Sequence, residues 1–284
     1  MNFEIELPIL FGFGRINNIT ESWRAARMLQ EFQKEEHLNH QPNKQEINDL
    51  ANILAQRKFT RLFDRRQKTK ADLKAIHQVL INNNLINESN INYFTTLSDM
   101  WRFGANTERY SGFSMALGFE PQFTKYLYQN LEPIKSIEST SFLTTYLTLK
   151  TILEKPISQK LQFSINSNIK YGHIYYQAPY ATTYQHLGLH LIPYLKIGLG
   201  YYPNTRTYVN TNISSNSGSN KRIVYAQWQS NLYYYISPKT RLAFRAQFKI
   251  IRDDPFDAMR FTPNVPLTQE HNTSFSVKFW HNFL

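Results

Sequence analysis

The stretch Leu161–Tyr171, LQFSINSNIKY, puts Leu161, Phe163, Ile165, Ile169 and Tyr171 on one side of an extended chain. Gln162, Ser164, Asn166, Asn168 and Lys170 fall on the other. Successive strand side chains point to opposite faces, so this spacing reads as a strand with one apolar and one polar face. The same pattern runs outward in both directions. Leu187, Leu189, Leu191, Leu195, Ile197, Leu199 and Tyr201 alternate with His190, Lys196 and glycines, and Leu242, Phe244, Ala246, Phe248 and Ile250 oppose Arg241, Arg245, Gln247 and Lys249. Phe113, Met115, Leu117 and Phe119 alternate with Gly112, Ser114, Ala116 and Gly118, and Phe3 through Phe13 are apolar at every odd position. Tyr93, Leu97, Trp101 and Phe103 read as one face of a further strand.

These runs are long. Soluble strands average about 5–6 residues, whereas a bilayer-crossing strand needs roughly 9–11. In the best runs the apolar face carries no charge, and the opposite face is Ser, Asn, Gln, Gly and Thr with scattered Lys. A soluble β-sandwich also alternates, but its outer face is usually more densely charged. Tyr171, Tyr175, Tyr176, Tyr201, Tyr202 and Tyr233–Tyr235 collect at strand ends, as rings with a polar tip do at a water–lipid boundary.

Connections alternate in length. Lys155–Ser158, Pro203–Asn204 and Ser237–Lys239 are tight, as is Glu120–Pro121, whereas 132–138, 176–186, 214–221 and 253–271 are longer. Membrane barrels keep short turns at the periplasmic end and longer loops outside. On that parity 104–107 is an outer connection and 14–90 a periplasmic one. The count is about eleven strands. Single-chain bacterial barrels favour even numbers, which predicts at least roughly 12 strands and a further strand ahead of Met1.

Residues 14–90 change period. Trp23, Ala26, Met28, Leu29 and Phe32 follow Thr20 at helical spacing, and Pro42–Asn43 opens a second helix through Ile47, Leu50, Ile53 and Leu54. Thr69 with Asp72 reads as a capping box ahead of Leu73, Ile76, Val79 and Leu80. Seven bases, Arg57, Lys58, Arg61, Arg65, Arg66, Lys68 and Lys70, stand against one acid, Asp64. Such a run is either a solvated helix end or a contact for an anionic partner: lipid headgroups, peptidoglycan or an acidic periplasmic protein. Nucleic acid does not fit, for no recognition motif accompanies the charge.

The chain has 284 residues, a formal charge of +11 and no cysteine. Disulfides, thiol nucleophiles and Cys-ligated metals are therefore excluded. His186 and His190 share a strand without a third ligand, so no zinc site is expected. Asp253, Asp254 and Asp257 lack the spacing of a calcium loop. No catalytic constellation and no cofactor motif emerges. The polar-face bases Arg102, Lys150, Lys170, Lys196, Arg241, Arg245, Lys249 and Lys278 outnumber Glu4 and Glu6: either they line an open pore whose field favours anions, or they pair with carboxylates of a further part of the barrel or plug the lumen.

The C-terminal run Phe275, Val277, Phe279 and Phe283, together with the alternation and loop parity, resembles the bacterial outer-membrane β-barrel class over about residues 2–13 and 91–284. The resemblance implies a mainly β chain, a transmembrane antiparallel up-and-down barrel of Gram-negative outer membrane. Three segments follow: residues 1–13, the first strand; 14–90, a basic periplasmic helical bundle; and 91–284, the remaining strands. A transport, secretion or assembly component in contact with outer-membrane lipid is the expected function. The alternatives are a structural anchor for periplasmic partners or cell wall, and a passive anion-preferring porin.

Overall fold

The computed structural model describes residues 2–56, 65–86, 90–103, 108–130, 136–177, 183–217, 224–237, 240–253 and 268–281. The chain opens with β1 (Asn2–Glu6) and β2 (Ile9–Asn18). Four helices follow: α1 (Thr20–Lys34), α2 (Lys44–Gln56), α3 (Arg65–Asn82) and α4 (Ile91–Phe103). Eight strands complete it: β3 (Tyr110–Asn130), β4 (Ser136–Pro156), β5 (Leu161–Gln177), β6 (Gln185–Tyr201), β7 (Thr207–Ser217), β8 (Val224–Ser237), β9 (Thr240–Asp253) and β10 (Thr268–His281). All pairings are antiparallel, and from β3 onward each strand pairs with the next in sequence. The ten strands occupy nine lanes, because β1 and β2 lie end to end along β3. Among the described residues β10 pairs only with β9, so the sheet is not closed.

Three expectations are corrected. Residues 91–103 form helix α4, not a strand. Tyr93, Leu97 and Trp101 are four apart, a spacing that satisfies both a strand face and a helix face, and Tyr93, Leu97 and Met100 are buried in the helical core. The segment 104–107, expected as an outer connection, lies outside the described residues. Glu120–Pro121 is not a turn, because β3 runs through it for 21 residues. Proline lacks an N–H donor and breaks a ladder only where a donor is needed. Here the neighbouring lane is itself interrupted between β1 and β2, and the Leu7 N–H donates to the Pro121 carbonyl at 3.1 Å. With those two segments reassigned, the expected strand count falls to the nine lanes seen.

The sheet is inside out by the standard of a water-soluble domain. One cross-strand row, Ile9–Phe119–Leu147–Tyr171–Leu191, is 47–59 % exposed throughout. Phe11, Ile213, Phe275 and Val277 are 60 % exposed or more on the same face. The adjoining polar row, Glu120–Tyr146–Gly172–His190, is buried. Gly172 is required there, since a Cβ would sit 1.8 Å from the Thr145 carbonyl oxygen. The helices are conventional. Met28, Leu29, Phe32, Leu50, Leu54, Ile76, Leu80, Tyr93 and Leu97 make one apolar core, with Phe32 stacked on Tyr93 at 5.1 Å.

Candidate functional site

Two features stand out: the joint that fixes the helices to the sheet, and the charge pattern of the sheet's polar face.

The joint is built around Arg109, which is fully buried immediately before β3. Its backbone N–H donates to Thr20 Oγ1 at 2.9 Å, and its carbonyl accepts from the Ile19 N–H at 2.9 Å. These bonds tie the start of α1 to the start of β3. Thr20 therefore does not cap α1 through its side chain, which has no such bond. The Arg109 guanidinium donates to the carbonyls of Ser158 and Leu161 at 2.9 and 3.0 Å, bridging to the β4–β5 turn. It also lies 5.1 Å over the Trp23 ring and 4.5 Å over Tyr202. Trp23 Nε1 donates to the Gln159 carbonyl at 2.8 Å, and Arg27 donates to the Tyr202 carbonyl at 3.2 Å. Burial lowers the pKa of both arginines, and for Arg27 the neighbouring Arg109 charge lowers it further. Two buried guanidiniums are retained because aromatic faces and carbonyl oxygens surround them. On the far side, Asp99 of α4 pairs with Arg206 in the β6–β7 turn. The helices thus sit against the end of the sheet where the tight turns lie.

An aromatic stack leads from this joint onto the polar face. Trp23 meets Tyr202 at 5.5 Å, Tyr202 stacks on Tyr208 at 4.8 Å, and Tyr208 stacks on Tyr233 at 5.7 Å. Arg241 lies 5.3 Å over Tyr233 and 5.7 Å over Trp280 of β10. Neither Arg109 nor this stack is marked by any local motif, because its members are brought together from residues far apart in the chain.

The polar face has two charge regimes. On β3–β5 the bases are neutralised. Glu120, fully buried, pairs with Lys150 and with Lys170 at 2.7 Å, and Lys170 also approaches Glu6 at 3.7 Å. On β6–β10 they are not. Arg245 donates to Asn231 Oδ1 at 2.9 Å, Arg241 to Tyr235 Oη at 3.5 Å, and Lys249 lies 5.1 Å over the Tyr225 ring. Among the described residues none of Lys196, Arg241, Arg245, Lys249 and Lys278 has a carboxylate partner. The register puts Lys196 and Lys249 in one cross-strand row, through Ser214 and Gln227. Arg102, expected on this face, instead belongs to α4.

Of the basic run in the helical segment, Arg57, Lys58 and Arg61 lie outside the described residues. Arg65 and Arg66 open α3, their side chains outside the description, and Lys68 and Lys70 lie in its first two turns. Thr69 is the fifth residue of α3 and not the residue that opens it. The capping box lies instead at α2. The Glu46 N–H donates to Asn43 Oδ1 at 3.0 Å and the Asn43 N–H donates to a Glu46 carboxylate oxygen at 2.7 Å. The spacing Asn43-x-x-Glu46 carries that signal in the sequence. His190 is buried on the polar face, whereas His186 contacts His173 at 2.8 Å, so the two do not converge. Asp254 and Asp257 lie outside the described residues.

Comparison with protein-family models, with curated proteins and with solved structures finds no match to this chain.

Proposed function

We propose that the chain is an integral outer-membrane β-barrel component for transport, secretion or assembly, with its helical bundle held at the periplasmic mouth as a docking domain. The observation that carries this is the inverted sheet. Row after row of Phe, Leu, Ile and Tyr is exposed while Glu120, Tyr146, Thr148 and His190 are buried behind it. Water penalises that arrangement and hydrocarbon favours it. The strands are long enough: β5 and β6 have 17 residues each, against the roughly 9–11 a tilted crossing needs. The bundle rests on the tight turns, and short turns belong to the periplasmic side of such barrels. A rigid joint through Arg109 suits a domain that receives a partner, such as a periplasmic protein or peptidoglycan, and Lys68 and Lys70 give it a basic edge.

The test is a gel of the membrane-extracted protein with and without boiling. A folded barrel resists SDS and changes mobility on heating. A chain found in the soluble fraction with no such shift overturns the reading. Pulldown of periplasmic partners, lost on deletion of 20–103 while the mobility shift persists, supports docking.

The uncompensated bases of β6–β10 favour a second reading, an anion-preferring pore. A purified porin conducts in planar bilayers, and Arg245→Gln with Lys249→Gln lowers its anion preference. A barrel that is closed until a partner binds does not conduct alone.

A further inference from the structure

Where α4 meets the rim of the sheet, a cleft of about 600 Å³ opens between the helix and the ends of β7 and β8. Ile91, Phe94, Arg102, Phe103, Arg206 and Ile236 line it. We propose that this cleft binds an anionic phospholipid of the periplasmic leaflet, its phosphodiester against Arg102 and its chains on Ile91, Phe94 and Ile236. The inference rests on the outer-membrane barrel reading.

Three observations point to this occupant. First, α4 is apolar on two sides. Tyr93, Leu97 and Met100 face the bundle core, whereas Ile91 is 82 % and Phe94 45 % exposed on the side that lines the cleft. An apolar stripe left open on a helix that has already filled its core calls for an apolar occupant. Second, the cleft continues the exposed apolar face of the sheet. Leu232, Tyr234 and Ile236 alternate along β8, all exposed, and Ile236 at 49 % is shared by both surfaces. A molecule lying on the strands therefore enters the cleft without crossing water. Third, the polar lining is net basic. Asp99 is taken up by Arg206, which also lies 4.2 Å over Phe103. Arg102 is exposed and among the described residues has no anionic partner. A free guanidinium beside an apolar trough, at the level where strands end, matches an anion covalently joined to hydrocarbon. The volume suits a headgroup and glycerol, sites for small ligands being typically about 300–1,000 Å³.

The experiment uses the full chain extracted in mild detergent and exchanged against equal amounts of phosphatidylglycerol and phosphatidylcholine. Retained lipid is read by native mass spectrometry. Both lipids have the phosphodiester, and only phosphatidylglycerol is net negative. The expected result is a single retained phosphatidylglycerol with about tenfold preference. Arg102→Gln abolishes the preference. Ile91→Asp lowers retention of both lipids, and Lys44→Gln, a cation elsewhere on the bundle, changes neither. All three positions are exposed, so each variant retains the heat-dependent mobility shift. Equal retention by the unaltered chain, or an undiminished preference in Arg102→Gln, overturns the proposal. So does displacement by millimolar glycerol 1-phosphate, which would assign the cleft to soluble phosphate esters. A mobility shift without lipid preference removes the cleft proposal alone, whereas a chain soluble without detergent and lacking the shift removes the barrel reading with it.

Discussion

The bundle and the sheet obey opposite rules within one chain. Leu50, Leu54 and Leu80 are fully buried between helices, while Leu191, Phe11 and Ile213 are more than half exposed on the sheet. The helices withdraw most of their apolar residues into a shared core, with Ile91 and Phe94 of α4 left open, whereas the strands present theirs to the surroundings. The bundle core is therefore packed as water dictates, and the exposed face of the sheet is what the proposed bilayer setting would require. Substitutions should separate the two regions cleanly.

The largest effect is expected at Leu50. Leu50→Ala leaves a cavity in a closed core and should destabilise the bundle by about 2–5 kcal/mol. Urea unfolding followed by helical circular dichroism would show it, with the heat-dependent mobility shift of the sheet retained. Loss of both signals together would mean that sheet and bundle fold as one unit. Next comes Leu191→Arg, on the exposed face of β6. In a bilayer this should cost about 2–4 kcal/mol, and at a surface facing water no more than about 0.5. Unfolding in lipid vesicles distinguishes the two directly, and a neutral result would place this face in water.

Much of this contrast is legible in the sequence. Alternation through 161–171 and 187–201 needs no tertiary information, because period two is enforced by strand geometry itself. Lys155–Ser158 and Pro203–Asn204 lie at the joins of consecutive antiparallel strands, as their reading as tight turns requires, whereas the longer connections fall largely outside the described residues. The α4 segment was not legible, because side chains four apart meet on one face in either structure. Pro121 misleads for a different reason. Its tolerance depends on the break between β1 and β2, more than 100 residues earlier in the chain. The joint is the least legible part. Arg109 is an isolated base in the sequence, and its partners Trp23, Ser158 and Tyr202 come from three distant segments. Sequence charge also did not separate neutralised Lys150 and Lys170 from unneutralised Arg245 and Lys249, since the difference lies in cross-strand register with Glu120.

That register gives a third, smaller test. Glu120→Gln removes the carboxylate shared by Lys150 and Lys170 and leaves two ammonium groups beside each other on a buried face. A loss of about 1–3 kcal/mol is expected. Arg245→Gln, whose partner is the neutral Asn231, should change stability much less while altering any anion preference. Equal stability losses at the two sites would erase the distinction between the neutralised and unneutralised halves of the polar face.

The smallest effect belongs to the water-facing side of the comparison. Glu46 closes the box with Asn43 at the start of α2 and lies 3.0 Å from His40 Nε2. Burial pushes its carboxyl up, but the Asn43 N–H and the His40 imidazole outweigh that and hold it below its ordinary value. A carboxylate with a lowered folded pKa stabilises the fold above its unfolded value. The contribution fades as pH falls through the lowered one. Glu46→Gln should therefore destabilise the bundle by about 0.5–1 kcal/mol at neutral pH, a typical loss for a helix cap. The difference from the unaltered chain should narrow as pH falls below the ordinary glutamate value of about 4.3, where the unfolded chain takes up the proton first, and close once the folded carboxyl is protonated too. The sheet's mobility shift should not respond to this substitution at either pH. A pH-independent difference would show that the side chain acts through packing and not through its charge.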